Sequence, residues 1–362
     1  MKYSIGITFG ILFCILISFI FFMSNISNER DIQEQQKKRD SNTYPESMKG
    51  YSTYNKTSKQ FKVILVVDND KTSKNVNDED EIEFLSRIEY GMIEQLENEW
   101  KYQSLNNSFE LSTKLNYDGR GNELSEIIRF YDSIYVFEDK TGVVSVINEK
   151  KGDAYPFVII ADGNGNEVNG FKHEWVTIVD NKMIVGSHGK DIIDVNGKEE
   201  RSNKYYVANI EKSGFYVYED WSELYTTIEH VLNITDKGYV THEAVTYSYL
   251  NDKWYFAPRK CHNDTFEIND DENNRACKFI IEFDGKKQNP KVIEDKQYDK
   301  SRCFSSIKSI PYHENYLVYI KTYEVDEKFE SWIGMIDTNG NTVMKEVSLG
   351  KNKFEGIEII PL

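Results

Sequence analysis

The chain has 362 residues, with 44 Lys and Arg residues against 60 Asp and Glu residues and a formal net charge of −16 at pH 7. This acidity argues against a nucleic-acid-binding surface, because phosphate backbones select for stripes of Lys and Arg. It also repels a free polyanionic substrate unless a metal cation stands between the two. Hydrophobic residues make up 39% of the chain, and the many short apolar runs with only six prolines favour an all-β fold.

The N-terminal part of the chain differs in composition from the rest. Residues 5–23 form an apolar stretch without a charge, which is long for a signal-peptide core and is not followed by an Ala-x-Ala-like site. An uncleaved signal anchor is therefore favoured over a cleaved signal peptide, which predicts a single-pass type II membrane protein of the secretory pathway or cell surface; cleavage would give a secreted protein. Residues 24–60 have few apolar side chains and are predicted to form a flexible stalk, with the folded domain over 61–362.

Modification signals and cysteines add weak support for the secretory route. Five Asn-x-Ser/Thr acceptor sites follow the anchor, at Asn25, Asn55, Asn106, Asn233 and Asn263. Of the four cysteines, Cys14 lies in the apolar stretch. A Cys261–Cys277 bond would close a polar loop and contribute roughly 3 kcal/mol by loop-entropy estimates. The pairing among these two and Cys303 cannot be deduced from the sequence.

The pattern His-Glu-x-Val-Thr occurs twice, at 173–177 and 242–246. It is not the zinc-protease motif, because the fifth residue is Thr where that helix needs a second His. Each copy leads through a turn into a second apolar run, which is typical of a β-hairpin. Three further segments carry the same pattern, and the shared position is occupied by Ser125, Glu174, Glu243, Ser305 and Glu355.

These five positions are separated by 49, 69, 62 and 50 residues. A period of this size with several short strands per unit is typical of a β-propeller, so the spacing predicts five units of about 60 residues each over 61–362. The last copy ends after one strand. We therefore expect the N-terminal strand that begins at Phe61 to complete the fifth unit, which removes free sheet edges. A two-domain β-sandwich is the alternative.

An equivalent residue on each innermost strand would form a ring around the channel axis. The ring would contain three Glu carboxylates and two Ser hydroxyls, and the three like charges repel one another unless a cation lies among them. Oxygen ligands in this number suit Ca²⁺ better than octahedral Mg²⁺. The alternative is that these side chains cap strand ends in solvent. His173 and His242 precede their Glu residues and point to the other side of the strand, so they are interpreted as packing residues.

Seven short motifs occur in order along the folded region, and they are GRGNELSEIIRF (119–130), EDKTGVV (138–144), ADGNGNEVNGFKHEW (161–175), YVTHEAV (239–245), FAPRK (256–260), CFSSIK (303–308) and FEGIEII (354–360). As a set they resemble the calcium-activated nucleotidases, the soluble calcium-dependent apyrases. The resemblance covers almost all of 61–362. It implies a five-bladed propeller with an axial Ca²⁺. It also implies that the protein hydrolyses nucleoside di- and triphosphates at the channel mouth. It is weakest between Asp180 and Gly238, where the family's Glu-Trp after GSHGK is missing.

The resemblance also implies roles for individual residues. The metal ligands carried over are Ser125, Glu126, Glu174, Glu243, Ser305 and Glu355, although the family usually has Asp at position 126. FKVILVVDND (61–70) resembles the family's first strand and its Asp-x-Asp ending. The candidate catalytic carboxylates, which would orient water or accept its proton, are Asp68, Asp70, Asp139 and Asp162. The candidate phosphate-binding residues are Arg120, Lys140, Lys172 and Arg259. Arg259 is the strongest of these, because a planar guanidinium matches a phosphate edge.

Two other functional classes stay open at this point. One is a non-catalytic Ca²⁺-binding propeller at the cell surface that acts as a binding module. The other is a Ca²⁺-propeller lactonase or esterase, which would need a His base at the channel mouth. A P-loop NTPase is excluded, since the GxxxxGK[ST] motif is missing. A homodimer is compatible with the sequence, and the preferred base of the nucleotide cannot be derived from it.

Overall fold

The computed structural model describes residues 44–52, 57–76, 81–97, 99–190, 192–193, 199–200, 203–235, 237–326 and 328–362. The predicted anchor (5–23), Cys14, Asn25 and Asn55 lie outside these residues. No helix in the described part of the chain is long and apolar enough to cross a membrane.

The described residues are dominated by β-strands. In chain order the strands are β1 (Gln60–Val67), β2 (Lys74–Val76), β3 (Ile82–Leu96), β4 (Glu99–Thr113), β5 (Leu124–Phe130), β6 (Ser133–Glu138), β7 (Val143–Asn148), β8 (Asp153–Ile159), β9 (Trp175–Val179), β10 (Lys182–Gly186), β11 (Ile192–Ile193), β12 (Glu199–Glu200), β13 (Tyr206–Ile210), β14 (Tyr216–Asp220), β15 (Tyr239–Ser248), β16 (Lys253–His262), β17 (Phe279–Asp284), β18 (Lys291–Glu294), β19 (Cys303–Ile310), β20 (His313–Val325), β21 (Lys328–Asp337), β22 (Thr342–Gly350) and β23 (Phe354–Pro361). The helices are α1 (Lys49–Ser52), α2 (Ser222–Val231) and α3 (Ile268–Asn274), with 3₁₀ turns at Glu46–Met48, Asp70–Ser73 and Asn203–Tyr205.

The strands form antiparallel units of four. Four of these units run in the orders β5-β6-β7-β8, β9-β10-β13-β14, β15-β16-β17-β18 and β19-β20-β21-β22. The fifth has the order β23-β1-β3-β4, with β2 added beside β3. A single parallel bridge between Ser112 and Asp153 joins this fifth unit to the β5–β8 unit, so the two share one nine-stranded sheet. Among the described strands, β11 and β12 form a separate two-stranded pair.

The fifth unit closes the chain on itself, as the sequence predicted. The C-terminal strand β23 pairs antiparallel with β1, with Phe61 opposite Pro361 and Leu65 opposite Ile357. The first strands β5, β9, β15, β19 and β23 contact one another in that order, and β23 contacts β5. They therefore form a closed ring, and neither strand at the chain ends leaves a free edge along the ring.

The hydrophobic core lies between neighbouring units. One cluster packs Phe137 of the β5 unit against Met183 of the β9 unit, and another packs Val63 of β1 against Val318 of β20. Pro45–Leu362 forms one compact unit, so the two-domain β-sandwich is wrong. Alternating apolar residues on the first strands supply both faces of these clusters, because each ring strand has a neighbouring unit on either side.

The described residues 45–52, which fall in the predicted stalk, belong to the same compact unit as the strands. Tyr51, which falls in the predicted stalk, is buried, and its hydroxyl donates to Glu358 Oε2 at 2.8 Å. The low apolar content of the surrounding sequence gave no sign of this contact. Further hydrogen bonds attach the segment, from the amide of Ser47 to Asn181 Oδ1 at 2.9 Å and from the amide of Tyr131 to the carbonyl oxygen of Ser47 at 2.6 Å.

A disulfide links Cys261 and Cys277, while Cys303 is a free, buried thiol. This resolves the pairing that the sequence left open. The bond closes the loop between β16 and β17 that carries α3.

Candidate functional site

Four of the five repeated positions lie on the first strands of the ring, and Glu174 lies immediately before β9. Ser125, Glu174, Ser305 and Glu355 are each no more than 5% exposed, and Glu243 is partly buried. Four of the five sit at β-bulges, since the strand ladders skip Ser125, Glu243, Ser305 and Glu355. A bulge leaves its residue unpaired and re-aims the side chain, which is why bulges are common at functional sites.

Arg259 contacts three of these five positions from the adjacent strand β16. Its Nη1 atom donates to Glu243 Oε2 at 2.5 Å and to Ser305 Oγ at 3.3 Å, and it lies 3.7 Å from Glu355 Oε1. Its Nη2 atom donates to Glu324 Oε2 at 2.7 Å. The guanidinium is therefore fixed from two sides, and its planar fork is presented in one orientation.

Burial strongly affects the acids of the ring. Desolvation raises the pKa of Glu243 to about 7 and the pKa of Glu355 well above its usual range, against the opposing effects of Arg259 and Lys353. Desolvation also raises the pKa of Glu174, although Lys172 Nζ lies 2.5 Å from its Oε1 atom. Buried carboxylates with raised pKa values attract cations, because a nearby positive charge lowers the cost of their ionisation.

Two cavities open beside the ring, and they meet along a shared wall. The acidic cavity has a volume of about 310 Å³ and is lined by seven carboxylates and four cationic side chains together with Phe266. The cation-rich cavity has a volume of about 320 Å³ and is lined by five cationic side chains and four carboxylates. The residues common to both linings are Asp139, Lys172 and Lys353.

Eleven of the fourteen predicted site residues line one of these cavities, namely Asp68, Asp70, Arg120, Asp139, Lys140, Asp162, Lys172, Glu174, Glu243, Arg259 and Glu355. The cavities therefore collect residues that are as far apart in sequence as Asp68 and Glu355. Ser305 reaches the acidic cavity through its contact with Arg259. Ser125 is buried on β5 and lines neither cavity.

The four candidate catalytic carboxylates differ in their surroundings. Asp68 is buried, and its Oδ2 atom accepts a hydrogen bond from Lys353 Nζ at 2.8 Å. Burial raises its pKa to about 6, despite the opposing charge of Lys353. For Asp139, burial acts in the same direction, but Lys172 at 2.7 Å together with the charges of Lys353 and Arg120 outweighs it and holds the pKa below the usual range. Of these two carboxylates, Asp68 is thus the better proton acceptor near neutral pH.

The other two carboxylates are occupied by ion pairs. Asp70 Oδ1 pairs with Arg120 at 2.5 Å, and Asp162 pairs with Lys204. Arg120 is also held by a hydrogen bond from its Nε atom to Glu123 Oε1 at 2.7 Å. These pairs orient the cationic side chains toward the cation-rich cavity.

Glu126 is separated from the other predicted metal ligands. Its side chain is fully buried and accepts hydrogen bonds from Ser306 Oγ at 2.6 Å and Lys308 Nζ at 3.0 Å. It lines neither cavity. Adjacent residues of a strand point to opposite sides, so Ser125 and Glu126 do not both face the site.

The two histidines of the repeat pack in the core. His173 lies against Phe137 and Phe171, with its Nδ1 atom 2.7 Å from the carbonyl oxygen of Glu138. His242 lies against Tyr225 and Phe256. Both are fully buried, which agrees with the packing role predicted for them.

Sequence reasoning missed several residues of the cavities, chiefly Lys353, Glu324 and Lys204. Lys353 lines both cavities and lies 3.2 Å from Glu355 Oε1. Its position two residues before Glu355 was a usable signal, since alternate residues of an extended segment share a side. Glu324 and Lys204 had no such signal, because each belongs to a segment distant from any repeated position.

The group of ring oxygens has the donor chemistry of a hard cation site. Ser125 Oγ is buried and has no hydrogen-bond partner among the described residues, and the other members are carboxylates and one hydroxyl. In the described part of the chain, however, no three His, Cys, Asp or Glu side chains are arranged to hold a metal ion. Arg259 and Lys172 are the ion-pair partners of Glu243 and Glu174. The oxygen donors suit Ca²⁺ by type, and a cation bound among them would replace Arg259 and Lys172 as the partner of these carboxylates.

The fold and the cavities define an all-β protein with a polar cleft that presents both acidic and cationic side chains at one end of a strand ring. Comparison with known proteins gives the family. The apyrase family profile matches residues 69–360. An apyrase of Phlebotomus duboscqi is 32% identical over 302 residues, covering 83% of this chain and 88% of the relative. The chain belongs to the apyrase family, which confirms the resemblance found in its motifs.

Other relatives agree. An apyrase of Cimex lectularius is 32% identical over 310 residues, covering 83% of each chain. Soluble calcium-activated nucleotidase 1 of Mus musculus is 29% identical over 251 residues, covering 69% of this chain and 62% of the relative. Among solved structures, the β-propeller domain of Nup133 from Vanderwaltozyma polyspora aligns over 76% of this chain and 71% of that chain, with 9% identity and a TM-score of 0.33. A structural similarity this weak supports no conclusion about function.

Proposed function

We propose that this protein is a calcium-dependent apyrase that hydrolyses the terminal phosphate of nucleoside di- and triphosphates, ending at the monophosphate. Membership of the apyrase family makes it a nucleotide phosphohydrolase. The dependence on Ca²⁺ and the substrate range are the proposed parts. The observation that carries them is the convergence of Glu174, Glu243 and Glu355 on one cavity that also holds Arg259 and Lys172.

The proposal includes a five-bladed propeller with the site at its axis. The five four-stranded units and the closed ring of first strands support this arrangement. In such a ring, the bulged residues at one end of the first strands face a common centre.

The ligands proposed for Ca²⁺ are Ser125, Glu174, Glu243, Ser305 and Glu355. These residues would hold the ion, which would supply positive charge to neutralise phosphate oxygens and to activate water for attack. The relative named soluble calcium-activated nucleotidase 1 supports this choice of metal. A cation at this position also offsets the field of the acidic chain, which otherwise repels a nucleotide.

The cationic side chains of the two cavities bind and orient the phosphate chain. Arg259 presents its fork from the acidic cavity, while Lys172, Arg120 and Lys140 line the cation-rich cavity. Phosphoryl transfer passes through a loose transition state, so catalysis consists mainly of positioning and charge neutralisation. Fixed donors provide both without reorganising during the reaction.

Asp68 accepts the proton of the attacking water. Its pKa of about 6 leaves it mostly ionised at neutral pH while keeping it basic enough to take a proton. The hydrogen bonds that it accepts from Lys353 Nζ and from the backbone amide of Asp70 hold the carboxylate in one orientation.

The compartment is proposed as the secretory pathway or the cell surface, with residues 5–23 as a membrane anchor or cleaved signal. The Cys261–Cys277 disulfide supports an oxidising compartment. The acceptor residues Asn106, Asn233 and Asn263 are exposed, as glycosylation requires. The homodimer stays a prediction.

The test is phosphate release from ADP, UDP, GDP and ATP, measured with millimolar Ca²⁺ and again with EGTA and Mg²⁺. We expect release with Ca²⁺ and loss of nearly all activity with EGTA and Mg²⁺. R259A should be folded and inactive, whereas R302A should keep its activity, because Arg302 pairs with Glu346 outside both cavities. A folded wild-type protein that releases no phosphate from any nucleotide would favour the non-catalytic binding module instead.

A further inference from the structure

Lys353 lies where the two cavities meet. It precedes β23, its side chain is mostly buried, and it belongs to the lining of both the acidic and the cation-rich cavity. Its backbone is fixed, because the amide of Asp68 donates to its carbonyl oxygen at 2.9 Å. The backbone of Lys353 is thus fixed at the shared wall, while its flexible side chain lets the ammonium group move within reach of both cavities.

Four carboxylates surround this ammonium group. Its Nζ atom lies 2.8 Å from Asp68 Oδ2 and 3.2 Å from Glu355 Oε1, with Glu324 Oε1 at 3.7 Å and Asp70 Oδ2 at 3.9 Å. An ammonium has three donors on a flexible stem. It can exchange one of the two longer contacts for another acceptor while keeping Asp68 and Glu355 as partners.

The distribution of charge indicates what that acceptor is. The acidic cavity has an excess of carboxylates, whereas cationic side chains outnumber carboxylates in the other cavity. A phosphate chain that reaches from the ring of carboxylates into the cation-rich cavity must pass the shared wall. The cationic residues of that wall are Lys172 and Lys353.

A purely structural role is the alternative, and Lys321 provides an example of it in the same protein. Lys321 is almost completely buried and pairs with Asp295 at 2.5 Å and Glu346 at 2.7 Å. It lines neither cavity. The two lysines have similar carboxylate partners and differ in their access to a cavity, so they form a matched pair for experiment.

We propose that Lys353 binds the phosphate chain of the nucleotide at the junction of the two cavities. This inference rests on the proposed apyrase function and adds a phosphate-binding residue that neither the repeat nor the motifs indicated.

The test compares K353M, K353R and K321M with the wild type. Binding of a methylene-bridged, non-hydrolysable ADP analogue is measured by calorimetry in Ca²⁺, together with KM, kcat and inhibition by inorganic phosphate. Loss of one charge-assisted hydrogen bond predicts that K353M binds the analogue about tenfold to a hundredfold more weakly, with a matching rise in KM and in the phosphate inhibition constant. K353R should recover much of this loss, and K321M should bind like the wild type while unfolding at lower denaturant concentration.

Folded K353M with analogue affinity and KM within twofold of the wild type would overturn the proposal. If K353M does not fold, analogue binding by D68N is compared with binding by D68N/K353M. The double variant removes both members of the Lys353–Asp68 ion pair, so it leaves no unpaired Asp68 carboxylate. Failure of the proposed function has a different signature, since the wild type itself would then release no phosphate.

Discussion

Arg259 Nη1 lies 2.5 Å from Glu243 Oε2, and both residues fall where the ladder between β15 and β16 skips a position on each strand. The bulge thus turns a carboxylate and a guanidinium of neighbouring strands toward each other and toward the acidic cavity. Both would otherwise continue the alternation of a regular strand, with their side chains directed by the pleat.

Arg259→Lys should lower kcat/KM for nucleoside diphosphates by about tenfold to a hundredfold. Lys keeps the charge but cannot reproduce the planar fork that contacts Glu243 and Glu324 at once. Steady-state kinetics on the purified variant measure the effect. R302K is the control, because Arg302 stacks on Trp332 away from the site. Equal losses in both variants would indicate a general effect on the fold.

The activity of the wild type should fall on the acidic side of the pH profile with an apparent pKa near 6. Burial raises the pKa of Asp68 to about 6, so the carboxylate is protonated below that pH and cannot accept a proton. The rate then drops about tenfold for each further pH unit. The residual activity of D68N should not show this decline at acidic pH. An unchanged acidic limb in D68N would assign the titration to another group.

Lys308→Met should destabilise the protein by about 3–5 kcal/mol, because it leaves Glu126 buried without its cationic partner. The double variant E126Q/K308M should recover much of this loss. Denaturant unfolding at constant pH measures both. We also expect E126Q to need the same Ca²⁺ concentration for activity as the wild type. A large change in that concentration would indicate that Glu126 is a metal ligand.

His242→Phe should make the protein less sensitive to acid. Neither ring nitrogen of His242 has a hydrogen-bond partner within the described residues, and burial lowers its pKa to about 3. The folded state therefore holds the imidazole neutral, and its contribution to stability is complete above about pH 6.5 and is lost as the pH falls toward 3. At pH 5 the wild type should lose roughly 2 kcal/mol more than H242F relative to pH 7.5.

The matched control for this prediction is His230, which is exposed near the end of α2. H230Q should follow the wild type in urea unfolding at both pH values. If H242F loses as much stability at pH 5 as the wild type, other buried groups dominate the acid response.

Removing the disulfide with C261S/C277S should cost about 3 kcal/mol of stability, since the closed loop spans 16 residues. The same loop carries Phe266, Asp271 and Glu272 into the lining of the acidic cavity. We therefore expect a raised KM in addition to a lower thermal midpoint. C303A is the comparison, because it removes a buried thiol without opening the loop. A raised KM in C303A as well would weaken the link to the loop.

The sequence alone determined the family, the hairpins and the closure of the fifth unit. A hairpin is predicted by local signals, namely the turn residues after Val179 and the short apolar runs around them. β9 and β10 form this hairpin. The pairing of β1 with β23 also followed from the sequence, because a final repeat with one strand has only the N-terminal strand left as a partner.

Only the tertiary structure decided which side chains meet. Ser125 and Glu126 are adjacent on β5, and only the structure shows that the bulge falls at Ser125 while Glu126 pairs with Lys308 in the interior. Glu324 joins the site from a segment with no repeated pattern, and it lies 3.7 Å from Lys353 Nζ. Such contacts depend on how separate units are arranged around a closed ring. They could not be predicted, because the spacing of residues along the chain does not determine the distances between strands of different units.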